Sequence, residues 1–172
     1  MLAIELKNSR TGEPAPRRTL FSWMQSADAF TFTFVCEQSE CFSAGDKFND
    51  PLYTGDVAEV FLAVNGEDTF YYEAEVAPNG TGFFAKILWQ DGHFKTCPRK
   101  APITTRAERA ADGWRAEIII PFSAIGYEIG MDLRINAFRI ETDGGESDKH
   151  LIALSPTLCD TFHRPSAFVP LP

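Results

Sequence analysis

The sequence predicts an all-β protein, an antiparallel β-sandwich of jelly-roll-like form with very little helix. Three observations lead there. Apolar and polar residues alternate with a period of two in several separate stretches. Turn signals rich in Gly, Asn and Asp recur along the whole chain. Aromatic residues make up 13% of it, and 15 of its 172 residues are Phe, a share that suits sheets packed face to face.

"TGEPAP" (Thr11 to Pro16) reads as an early loop. In "AFTFTFV", Phe30, Phe32 and Phe34 share one face of a strand and Thr31 and Thr33 the other. A longer loop, "SAGDKFNDPLYTGD" (Ser43 to Asp56), leads into "GDVAEVFLAV" (Gly55 to Val64). The Asn-Gly of "VNGED" then marks a tight hairpin. The next strand, "TFYYEAEV", turns Phe70, Tyr72, Ala74 and Val76 one way and Tyr71, Glu73 and Glu75 the other. Further turns are expected at "APNGTG", "QDG", "ADG" and "TDGGESD". "WRAEIII" places Trp114, Ala116, Ile118 and Ile120 on one face, and "PFSAIG" (Pro121 to Gly126) is long enough for one helical turn. In "LRINAFRI" the apolar phase slips between Ile135 and Phe138, which predicts a β-bulge. The sum is nine or ten short strands in a single domain spanning 1–172. The interior is expected to hold Phe30, Phe32, Phe34, Val60, Leu62, Tyr72, Ala74, Trp114, Ile118 and Ile120.

Composition narrows the function. The net charge is −8, which argues against nucleic acid, since phosphate contacts need clustered Lys and Arg, and against an anionic membrane surface. No segment approaches the roughly 20 apolar residues of a membrane-spanning helix. The N-terminus lacks the pattern of a secretory signal, so a cytoplasmic location is expected unless a signal has been trimmed. The cysteines, Cys36, Cys41, Cys97 and Cys159, contain no CxxC pair. Free thiols are expected, with Cys36 and Cys41 the pair to form in an oxidising compartment. The sequence carries no GxSxG, HExxH, P-loop or GxGxxG motif. The histidines, His93, His150 and His163, show no ligand spacing. "TFHRPSAF" reads as a packed terminal segment in which His163 and Arg164 tie down the chain end.

Glu59 is the residue out of place, a carboxylate amid Val57, Val60, Phe61, Leu62 and Val64. Hairpin neighbours share faces, so Glu59, Glu73 and Glu75 are expected on a second face with Phe61 and Tyr71. Arg134 and Asn136 lie on the corresponding phase of the strand from Met131 to Glu141. Acidic groups, an amide and aromatic rings on a rigid sheet suit a sugar, whose hydroxyls both donate and accept and whose C–H face stacks on a ring. The alternative is a solvated face with Arg134 neutralising one Glu. Hydrolysis by a carboxylate pair is the weaker reading, because Glu73 and Glu75 have no evident means of driving their pKa values apart.

"PLYTGDVAEVFLAV", "YYEAEVAPNGTG", "GWRAEIIIPFSAIG", "LRINAFRI", "LSPT" and "FHRPSAF" together resemble carbohydrate-binding module family 9-like domains, which are related to DOMON-like β-sandwiches. The resemblance runs from about Pro51 to Phe168. It implies a non-catalytic module with a saccharide ligand, clamped between two aromatic rings above polar groups. By that resemblance Tyr53 corresponds to the first ring and Glu59 to the carboxylate. Glu73 stands where the family has an arginine, and Leu154 where it has the second tryptophan. The ligand-binding residues expected are thus Tyr53, Glu59, Glu73, Arg134 and Asn136. Calcium is a possible cofactor by resemblance, with no ligand assignable. Two alternatives remain: a scaffold without sugar affinity that serves as an interaction module, and a haem-binding domain using Met24, Met131 or His150.

Overall fold

A computed structural model describes residues 3–66, 69–91, 93–100, 102–142 and 149–171. The turn residues Glu67, Asp68, Gly92 and 143–148, read above as turn signals, lie outside the described residues. The strands, in chain order, are β1 (Ile4–Glu5), β2 (Lys7–Asn8), β3 (Thr19–Gln25), β4 (Ala29–Glu37), β5 (Val57–Val64), β6 (Phe70–Val76), β7 (Gly82–Gln90), β8 (His93–Pro98), β9 (Thr104–Ala110), β10 (Gly113–Pro121), β11 (Leu133–Thr142), β12 (Lys149–Ala153) and β13 (Val169–Pro170). Strand accounts for 53% and helix for 6%. The one α-helical turn among the described residues, α1 (Phe122–Ile125), is capped by Gly126 at φ 66°, a left-handed conformation that glycine adopts without a Cβ penalty.

Two antiparallel sheets pack face to face. One runs β1-β3-β4-β10-β9, and the other β2-β12-β11-β5-β6-β7-β8, with β13 also on β11. The ten expected interior residues all lie in the layer between them, each no more than 8% exposed. Phe21, Phe32 and Phe34 form its aromatic centre, with the Phe32 and Phe34 ring centroids 6.1 and 5.2 Å from that of Phe21. Asn65 and Gly66 take φ 59° and 68°, left-handed values that Asn and Gly tolerate, but the tight hairpin expected there does not form: the register, with Leu62 opposite Tyr72, leaves a longer connection between Val64 and Phe70. Gly113 is needed where β10 crosses β4, since a Cβ there would lie 2.1 Å from the Cys36 carbonyl oxygen.

The β-bulge expected in β11 does not form. Its register with β5 is unbroken from Leu133↔Val64 to Ile140↔Val57. Leu133, Ile135 and Ala137 pack between the sheets, while Phe138 and Ile140 enter a separate apolar cluster on the other face. The phase slip reflects a strand buried on both sides.

That second cluster overturns the solvated-face alternative. Phe61, Tyr71, Phe138, Phe162 and Phe168 cover the outer face of the eight-stranded sheet. The terminal segment folds back over it through a 3₁₀ turn at Pro165–Ala167 and β13. Every residue of β5 is consequently buried.

One end of the sandwich holds a buried polar network with no signature in the periodicity. Arg139 is fully buried and donates from Nη1 to Thr19 Oγ1 and from Nη2 to Gln38 Oε1, each at 2.8 Å. Glu141, also fully buried, pairs with Arg17 and lies 3.7 Å from Arg139. Asp56, fully buried, accepts from the amides of Phe42 and Thr142 at 2.6 Å each and from Gln38 Nε2 at 3.1 Å. Buried charges need such partners.

Candidate functional site

The outer face of the eight-stranded sheet carries an open cleft of about 620 Å³, within the range of small-molecule sites. Its floor is built by β5 and β6. Glu59 lies directly across from Glu75, and Phe61 across from Glu73, so the period-two geometry brings three carboxylates to one spot. One oxygen of each lies within 4.8 Å of one from each of the others. Glu59, Glu73 and Glu75 are 3%, 6% and 2% exposed.

The electrostatics follow from burial. Glu59 holds its proton well above the usual carboxylate range because it is desolvated and faces Glu73, with Lys149 opposing weakly. Glu75 is raised by burial and by the charges of Glu59 and Glu73. Burial pushes Glu73 up to about 7, held back by a hydrogen bond from Glu75. Glu59 Oε1 and Glu75 Oε2 have no hydrogen-bond partner. A buried oxygen without a partner costs roughly 1–3 kcal/mol, so this floor is assembled against its own stability.

The walls are apolar and aromatic. Phe83, Phe94, Phe162, Ile140 and Leu151 line the cleft, with Tyr53 at its rim. His163 joins them, its ring stacked on Phe94 at 3.7 Å and bonded through Nδ1 to the Tyr71 hydroxyl at 2.6 Å. Burial pushes the His163 pKa down to about 4, so the imidazole is neutral at neutral pH. Tyr53 sits on a 3₁₀ turn, Leu52–Thr54, anchored by the fully buried Leu52. The Tyr53 carbonyl accepts from Lys149 Nζ at 2.9 Å. Gly55 follows, where a Cβ would meet the Phe42 carbonyl at 2.7 Å, so only glycine lets this turn feed into β5.

Of the residues expected from sequence, the cleft brings together Tyr53, Glu59 and Glu73, with Glu75 beside them. Arg134 and Asn136 are elsewhere. Arg134 is exposed and donates to the Phe168 carbonyl at 2.5 Å. Asn136 is buried and fully engaged with backbone: Nδ2 donates to Ser155 O at 2.8 Å and Oδ1 accepts from Ser155 N at 3.0 Å. Both fasten the segment that covers the sheet. Leu154 packs against the inter-sheet core rather than the cleft. Met24 is on β3 in one sheet and His150 on β12 in the other.

The residues that sequence reasoning missed are Phe94, Phe162 and His163. Phe94 belongs to "HFKTCP", whose alternation places it with Thr96, and both line the cleft. Phe162 and His163 were legible only as a packed terminal segment. That segment does pack, and it also forms a wall.

No protein-family model matches the chain, and no curated protein matches it in sequence. Solved structures do match in fold. A protein from Bacteroides uniformis described as carbohydrate-binding superposes with a TM-score of 0.79 at 14% identity, over 99% of this chain and 85% of that one. A carbohydrate-binding module of family 9 from Caldicellulosiruptor kristjanssonii in complex with glucose gives 0.66 at 18%, over 97% and 82%. The same kind of module with cellotriose gives 0.68 at 17%, over 98% and 80%. The fold of this chain is the β-sandwich of those modules.

Proposed function

We propose that this chain is a non-catalytic carbohydrate-binding module whose ligand occupies the cleft on the outer face of the eight-stranded sheet. The observation that carries the reading is the floor: two buried carboxylates, Glu59 and Glu75, with partnerless oxygens beneath aromatic walls. Sugar hydroxyls are the donors those oxygens lack, and ring C–H groups suit Tyr53 and Phe94. Modules of the same fold in complex with glucose and cellotriose support a saccharide in general. The crowding of the acids supports binding over hydrolysis. A glycosidase sets its two carboxyls on either side of the scissile bond, whereas Glu73 and Glu75 hydrogen-bond to each other. Calorimetric titration with glucose, cellobiose and cellotriose tests the proposal. Saturable binding that Tyr53→Ala and Phe94→Ala weaken is expected. Absence of binding to these sugars and to a broad glycan array overturns it.

A further inference from the structure

The saccharide reading leaves the clustering of three acids on the floor unexplained. Three acids crowded together would by themselves define no site. Here Glu59 Oε1 and Glu75 Oε2 are buried, lack hydrogen-bond partners and belong to side chains that line an open cleft. Among the described residues no Lys or Arg lines that cleft; Asp160 lines it too but is exposed and paired with Arg10 at 2.6 Å. Lys149, whose charge acts on Glu59, has its ammonium on the Tyr53 carbonyl. The other titratable groups facing the floor are Tyr71 and His163. They bond to each other, and the imidazole is neutral at neutral pH.

From the partnerless carboxylates and the aromatic walls around them, we infer that the cleft selects a positively charged saccharide, an amino sugar whose protonated amine sits against Glu59, Glu73 and Glu75. This rests on the saccharide reading and narrows its ligand class. An ammonium donates three hydrogen bonds and carries the charge that offsets mutual repulsion among the acids. Phe94 and Tyr53 favour the same ligand, since an organic cation is attracted to ring faces while its carbon skeleton stacks on them. A bare divalent ion fits less well. Calcium takes six to eight oxygens, whereas much of the wall around the acids is apolar (Phe83, Phe94, Phe162, Ile140 and Leu151), with Asn49, Thr96 and Thr161 among the further side-chain oxygens. A cation held there stabilises the ionised carboxylates, so binding drives protons off groups that burial keeps protonated.

The test is calorimetric titration of the whole chain at pH 6.5 with the β-1,4-linked glucosamine dimer, cellobiose and N,N′-diacetylchitobiose, which share a linkage and differ at C2. The glucosamine dimer is expected to bind at least about tenfold more tightly than the other two, the scale of one charge-assisted hydrogen bond. Its observed enthalpy should differ between phosphate and Tris buffers, reporting proton release, while that of cellobiose should not. Glu75→Gln should shrink the ratio. Equal affinity for all three dimers overturns the inference and leaves the saccharide reading standing. Calcium alone binding the protein, with EDTA abolishing binding of every sugar, overturns it in favour of a metal. Failure of all three dimers to bind overturns the amino-sugar inference, and failure on a broad glycan array as well removes both readings.

Discussion

Replacing Glu73 with Gln should make the protein more stable at alkaline pH and change little in mild acid. Glu73 is 6% exposed, and its pKa is raised from 4.5 to about 7 by burial. A carboxyl that holds its proton more tightly in the fold than in the unfolded chain contributes stability below the unfolded value. That contribution is lost as pH climbs through the folded value. At about 1.4 kcal/mol per pH unit, the loss between pH 4.5 and pH 8 comes to roughly 3 kcal/mol. Gln keeps the shape, can still hydrogen-bond with Glu75, and does not ionise. Urea unfolding at pH 5, 6.5 and 8 should therefore show the two proteins nearly equal at pH 5 and Glu73→Gln ahead by roughly 3 kcal/mol at pH 8. For a chain of this length that corresponds to about 6–12 °C in melting temperature. Parallel stability curves, or a variant weaker than the parent at pH 8, would refute the account of the floor as a destabilised acid cluster.

Other outcomes follow from the same geometry. Glu59→Gln should weaken saccharide binding by roughly 1–3 kcal/mol without lowering the melting temperature, because it replaces a buried, partnerless carboxyl with an amide of the same shape; calorimetry and thermal melts read the two effects separately. Tyr53 and Phe94 are 56% and 47% exposed, so Tyr53→Ala and Phe94→Ala should each weaken binding by about 1 kcal/mol and leave the melt almost unchanged. Asp56→Ala removes the acceptor of the Phe42 and Thr142 amides, the latter buried, and should cost roughly 3 kcal/mol in urea unfolding. Four thiols should react with a thiol reagent under denaturing, non-reducing conditions. In the native protein Cys36 should be silent, since burial pushes its pKa up to about 12.

The sandwich was legible because one face of each major strand obeys a strict period of two, and those faces became the inter-sheet core. Glu59 and Glu73 were legible for the same reason: hairpin pairing carries a phase from one strand to the next. What pairing could not show was a third layer. Arg134 and Asn136 share a strand phase with the floor, but tertiary folding of the terminal segment spends them on the backbone of Ser155 and Phe168. The same segment brings Phe162 and His163 over Glu59 from a hundred residues away, a contact no local pattern encodes. Tertiary burial of both faces also explains why the double phase of β11 read as a bulge.

The division of apolar residues into two clusters on opposite faces of one sheet has an evolutionary consequence. Stability rests chiefly on the layer between the sheets, whereas two of the aromatic side chains over the floor come from the edge strand β8 and the returning segment around Phe162. Substitutions or length changes in those two pieces can reshape what the floor accepts without touching any residue of the inter-sheet core. Ligand preference can therefore drift at exposed positions such as Phe94 at little cost in stability, whereas Phe162, buried in the outer cluster, ties any change of ligand to the melting point.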